Sequence, residues 1–248
     1  MYFWKCWRET RAQFIAGLVV FVAVCSFFTI PVAKFGSPEM MKTGVSPSVA
    51  QAWSSAIRMV LGGWGGTLIL ICGLVLGSAG LGKEFDKQTV GFLFTRPRRR
   101  RYWVWVGWSA GVFELAIIAL VGVGLTSGLL TFLTGHFYTW RVLAAFLGLT
   151  VGGAVSYSLT YFMAVVTRSG LQGLGYAMGI LFVAILVPGM TAHFWRIYLP
   201  SLWDFMDTTC EWAAAVVSSF PFSVLILWSI VALAFPLAAQ ALVERADV

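Results

Sequence analysis

Six continuous apolar runs constrain this chain more than any other feature. They cover residues 14–32, 59–82, 103–130, 142–166, 171–190 and 222–242. A helix needs about 20 apolar residues to cross a bilayer, and each run is of that order. The runs do not alternate polar with apolar, as the strands of a membrane barrel do. Composition agrees. Of the 248 residues 59% are hydrophobic and 11% are charged, against about 25% charged in a soluble domain. The sequence therefore predicts an all-α polytopic membrane protein with six spans in a single transmembrane domain, residues 1–248. No small-residue cleavage site precedes Pro31, so the first run is expected to stay in the mature chain.

The basic residues set the expected orientation. With both termini on one side, twelve of the seventeen Lys and Arg residues fall there: Lys5, Arg8, Arg11, Lys83, Lys87, Arg96, Arg98, Arg99, Arg100, Arg101, Arg168 and Arg245. Lys34, Lys42, Arg58, Arg141 and Arg196 fall on the other side. Cytoplasmic loops carry the excess of basic residues, so both termini are predicted to be cytoplasmic. On a helix over residues 2–13, Phe3, Cys6, Trp7, Thr10 and Phe14 share one face, and Lys5, Arg8, Glu9 and Arg11 take the other. That pattern predicts an amphipathic interfacial helix with Trp4 and Trp7 at the headgroups.

Residues 192–221, on the outer side, contain Trp195, Tyr198, Trp203 and Trp212 and then an apolar run. They are expected to form short helices at the outer face. A further short helix is expected from Ser48, and a turn at Arg168, Ser169 and Gly170. Four pairs fit G-x-x-x-G: Gly62 and Gly66, Gly73 and Gly77, Gly148 and Gly152, Gly175 and Gly179. Such pairs let helices approach closely in lipid.

Enzyme chemistry finds little purchase. Gly107–Gly111 matches G-x-S-x-G, but the hydrolase motif needs a strand, a sharp turn and a helix, and here it lies inside an apolar run. An intramembrane serine protease would need a histidine beside Ser109. His136 and His193 both fall in outer connections, whereas Ser109 lies near the inner end of its span. No phosphate-binding loop, dinucleotide fingerprint or H-E-x-x-H motif occurs. Cys6, Cys25, Cys72 and Cys210 are scattered and have no metal-ligand spacing. Glu114 is the one acid well inside a span. Such a residue either lines a pathway or is a hydrogen-bonded packing residue, and the sequence leaves both open.

Residues 83–103 stand apart. They carry Lys83, Lys87, Arg96, Arg98, Arg99, Arg100 and Arg101. Arginines beside a span are most simply placed against anionic lipid phosphate, and nucleic acid is not an expected partner. Arg98, Arg99, Arg101 and Trp103 are accordingly read as lipid-interface residues. The first half needs another account. Phe85, Thr89, Phe92 and Leu93 lie on one side of a helix, and Pro97 stops it because the residue before a proline is pushed out of the helical region. A short helix over 84–97, held across the membrane surface, suits the reception of another protein.

This stretch resembles the corresponding segment of the permeases of type-2 ATP-binding-cassette (ABC) exporters. In that family the second span ends at an acid. A Gly-Thr pair follows, then a Phe/Leu-Leu run, a Ser/Thr-x-Pro element and an Arg three residues on. Here Glu84 takes the acid position, and Gln88 and Thr89 take the Gly-Thr pair. Phe92 and Leu93 match the apolar pair, Thr95, Arg96 and Pro97 the next element, and Arg100 the final Arg. Gln88 stands where the family has Gly, and Arg98 and Arg99 are additional.

The layout of six spans, inner termini and a long segment between spans five and six is also similar. The resemblance implies one permease half that pairs with a second copy or a paralogue. It implies two cytoplasmic ATPase subunits docked below, to which Glu84, Thr89, Phe92, Leu93, Pro97 and Arg100 couple the spans. ATP and magnesium would bind in those partners, with no cofactor and no enzyme activity in this chain. The location implied is the cytoplasmic (inner) membrane of a prokaryote. The other reading of the same layout is a non-transporting anchor or assembly subunit of another complex.

Overall fold

Lipid offers no hydrogen bonds to a backbone, so a buried apolar run closes its own as a helix. Every run identified above does so. The structure is a computed structural model that describes residues 2–35, 48–87, 100–135, 139–195, 201–213 and 222–245. Among these residues it is helical apart from short connections. The order is α1 (Tyr2–Phe35), α2 (Val49–Ala56), a π-helical segment π1 (Ile57–Gly65), α3 (Gly66–Asp86), α4 (Arg100–Thr134), α5 (Thr139–Thr167), α6 (Gly170–Trp195), α7 (Leu202–Ala213) and α8 (Phe222–Arg245). Six stretches are long and apolar enough to cross a membrane: Phe3–Val32, Trp53–Asp86, Arg100–Thr134, Val142–Thr167, Gly170–Pro188 and Phe222–Arg245. The chain is a multi-pass membrane protein.

Residues 2–13 do not form a separate element. They are the first turns of α1, which runs for 34 residues without a break. Cys6 and Thr10, on the face expected to meet lipid, are buried, and Thr10 reaches Glu114 of α4. Cys6, Thr10 and Phe14 of the apolar face therefore pack on protein, while Phe3 at its start stays exposed.

The centre of the bundle is α5. Residues 152–161 are all buried, on every side of the helix. Tyr157 and Tyr161 stack with ring centroids 5.9 Å apart. Their hydroxyls donate to the backbone carbonyls of Gly107 at 3.0 Å and Val104 at 2.9 Å, which locks α5 to α4. Against another side lies α3, where a Cβ on Gly77 would stand 2.7 Å from the Tyr157 carbonyl oxygen. Only glycine permits that approach. Gly148 and Gly152 of α5 receive Thr209 and Met206 of α7 in the same way.

Local signals account for the shorter elements. The Ser48 hydroxyl accepts from Gln51 N, and the Gln51 side chain accepts from Ser48 N at 2.9 Å. This reciprocal cap starts α2 where the sequence places a helix. Arg168 adopts φ 54° in the turn between α5 and α6. The left-handed conformation is the usual way to end a helix.

Polar contacts define the two ends of the bundle. Lys5 meets Glu84, Gly170 N meets Asp86, and Arg100 meets Val243 O. The start of α1, the end of α3, the start of α4, the α5–α6 turn and the end of α8 therefore share one end. At the other end Trp53 Nε1 donates to Thr134 Oγ1 at 3.0 Å, and α7 packs across π1 and α5.

Candidate functional site

Residues 88–99 hold most of the segment expected to receive a partner. Thr89, Phe92, Leu93, Pro97, Arg98 and Arg99 lie outside the described residues. The flanks of that segment are described, and both are fastened to the bundle. On one flank, Glu84 is 3% exposed in the last turn of α3, and Lys5 of α1 ion-pairs with it at 2.5 Å. Lys83 Nζ donates to the Glu9 carbonyl at 3.1 Å and to Gln13 Oε1 at 3.4 Å, a second tie between α3 and α1. The Asp86 carboxylate accepts from Gly170 N at 3.2 and 3.3 Å, tying α3 to α6. On the other flank, Arg100 Nη1 donates to Val243 O at 3.3 Å. One turn further, Trp105 Nε1 donates to Gln240 Oε1 at 2.7 Å. Both contacts join α4 to α8.

The last turn of α3 is set off from the rest. Gly80 has φ −59° and ψ −115°, a kink inside the helix. Its position faces the Tyr161 ring. Glu84 and Asp86 thus sit on a short helical piece below a bend, with separate ties to α1 and α6.

Compared with models of known protein families and with curated proteins, the chain matches none.

Glu114 is 1% exposed in α4. The Thr10 hydroxyl donates to its Oε1, and its Oε2 has no hydrogen-bond partner. Trp4 is exposed, and Trp7 packs on Phe14 with ring centroids 5.0 Å apart. Arg101 is exposed, but Trp103 is 4% exposed. Trp103 lies in the packed interior rather than on the lipid-facing surface expected for it. Trp108 likewise turns inward, where Nε1 donates to Ser158 Oγ at 2.7 Å. Ser109 is exposed mid-helix, and its hydroxyl donates to Val106 O at 3.2 Å. No hydrolase elbow is present there. All four cysteines are free.

The opposite end contains a group that the sequence did not single out. The cavity between π1 and α7 has a volume of ≈ 320 Å³, lined by Ser55, Arg58, Met59, Gly63, Trp203 and Asp207. Arg58 ion-pairs with Glu211 at 3.2 Å. Burial, then the Glu211 charge, push the Asp207 carboxyl above the usual range, with a further push from Asp204 and an opposing pull from Arg58. The sequence signals for this site were the aromatic outer segment with Trp203 and the glycine pair Gly62 and Gly66. The pair loosens the helix that became π1.

Proposed function

We propose that this chain is the membrane-spanning permease subunit of an ATP-driven exporter of the type-2 ABC class. The observation that supports it most is the fastening of both flanks of residues 88–99. A push on that segment from a docked ATPase would pass through Glu84 to α1 and through Arg100 to α8. The kink at Gly80 gives the Glu84 turn a place to pivot. The motif resemblance from Glu84 to Arg100 supports the same reading. So does the absence of a phosphate-binding loop, since the nucleotide and its magnesium would reside in two separate ATPase subunits.

In this mechanism the two states of the bundle differ in the position of the coupling segment. A nucleotide can shift their balance only by its different affinity for the two states, expressed through the partner. A second copy of the chain or a paralogue completes the pathway. The termini and the coupling segment face the cytoplasm of a prokaryotic cell.

The test is copurification with a cytoplasmic ATPase, followed by ATPase and transport assays on the reconstituted complex. Truncating a buried interface anchor commonly costs about 2 kcal/mol, roughly a thirtyfold loss of binding. Phe92→Ala with Leu93→Ala should weaken the complex by that order. Glu84→Ala should leave docking nearly intact and impair transmission. Wild-type partner binding and transport in the double variant would overturn the reading.

A further inference from the structure

Three acids share one face of α7: Asp204, Asp207 and Glu211. Two have evident reasons. Asp204 lies in the first turn, where a negative charge suits the positive end of the helix dipole. Glu211 pairs with Arg58. Asp207 has neither. It is half-buried between two like charges, with no hydrogen-bond or ion-pair partner among the described residues. A carboxylate in a cavity wall with no bonded partner is a candidate for binding.

The walls around Asp207 limit what could bind. Trp203 stands four residues earlier, one turn along the same face of α7. Met59 adds an apolar side from π1. The π-helical register of Ile57–Gly65 widens the turn here. It also brings Gly62 against Asp207: a Cβ there would meet Asp207 Oδ1 at 3.1 Å. The cavity, at ≈ 320 Å³, is at the small end of ligand sites.

Among the described residues the charged side chains in its wall are Asp207 and Arg58; Arg58 is paired with Glu211, so an entering cation would find Asp207 as its counter-charge. No group of three metal-ligating side chains exists among the described residues. The apolar walls supplied by Trp203 and Met59 suit an organic cation that carries an apolar part.

We propose that this cavity binds the ammonium group of an amphipathic amine, with Asp207 as its counter-charge and the Trp203 indole as its aromatic wall. Cations are attracted to the faces of aromatic rings, tryptophan most strongly. Arg58 is held by Glu211 and leaves Asp207 available. The amine belongs either to a lipid headgroup or to a free amphipathic molecule. The proposal goes beyond the exporter reading and does not depend on an ATPase partner.

Calorimetric titration of the full chain in a neutral maltoside detergent tests it. The probe is hexyltrimethylammonium, with hexan-1-ol as its uncharged counterpart. Asp207→Asn should weaken binding of the cation about fivefold, the upper end for a partly exposed ion pair. Trp203→Leu should weaken it roughly two- to fivefold, while Asp207→Glu should retain most of it. Hexan-1-ol should not distinguish wild type from Asp207→Asn. Gel filtration and melting curves verify that each variant is folded. Lipid nanodiscs with and without phosphatidylethanolamine then separate the sources. Competition with the probe assigns the site to a lipid amine, and unchanged probe affinity assigns it to a free one. Equal cation binding by folded Asp207→Asn, or equal discrimination against hexan-1-ol, overturns the proposal.

Discussion

Glu84 shows what a buried carboxylate demands of its neighbours. Stripped of water, it needs a cation or donors close by. Lys5 meets that need from the first turn of α1, and its side chain is still 40% exposed. Removing one partner of a buried pair commonly costs about 3–5 kcal/mol. The exposure of Lys5 places its removal below that range. Lys5→Glu should lower the melting temperature of the purified chain, and Lys5→Glu combined with Glu84→Lys should restore part of the loss. A double variant no better than the sum of its singles would mean the pair contributes nothing.

Glu114 makes a milder demand. It sits in α1–α4 packing, with Thr10 as its donor. Thr10→Val would leave both carboxyl oxygens without a partner, a cost of about 1–3 kcal/mol. Glu114→Gln keeps an acceptor for Thr10. Membrane abundance and melting temperature should therefore fall in Thr10→Val and stay near wild type in Glu114→Gln. Immunoblotting and thermal unfolding measure both.

At the scale of helices, four G-x-x-x-G pairs that look alike in sequence have different fates. Gly73 and Gly77 face α5, while Gly62 and Gly66 face α7, as do Gly148 and Gly152. Gly175 and Gly179 have no neighbour within 4 Å. Overpacking a tight contact costs about 1–3 kcal/mol or more. Gly77→Val should thus lower the melting temperature of the purified chain, whereas Gly175→Val should leave it unchanged. Spacing reveals that a helix can be approached closely, but not by which partner.

The same boundary runs through the rest of the reading. The six spans, the turn at Arg168 and the cap at Ser48 were legible because length, left-handed geometry and a reciprocal cap are local matters. The continuity of residues 2–13 with the first span was not. Amphipathicity shows that two faces differ, and the cover of the apolar face is decided by α4. The π1 register and the inward turn of Trp103 likewise depend on helices distant in the chain.

On α7 the raised Asp207 carboxyl has a stability consequence. The protonated form is the one the fold prefers. Its contribution is present below the ordinary carboxylate range and is lost as pH rises through the raised value. Asp207→Asn should melt higher than wild type near neutral pH, and the gap should close on mild acidification. An equal gap at both pH values would exclude Asp207 as its source.

For the molecule as a whole, the lacing of one end sets an orientation test. Lys87 is exposed at the end shared by the termini, and Thr208 lies on α7 at the other. In a cysteine-free background, Thr208→Cys should react with an impermeant thiol reagent on intact cells. Lys87→Cys should react only after permeabilisation. The reverse pattern would turn the chain over and remove the cytoplasmic docking argument.

The buried centre also bears on how the protein is made. Of the six spans, α5 is the least apolar and the most enclosed. Ser156, Ser158 and Thr160 lie fully buried within it. A helix whose middle is shut away from lipid is under little pressure to be oily there, so its code for leaving the translocation channel is weak. Presented alone to that channel, α5 should partition into the bilayer less completely than α8. In the intact chain it should depend on the earlier helices waiting beside the exit. The residue pattern that makes α5 the hub of the finished bundle thus makes it the step at which biogenesis most needs its neighbours.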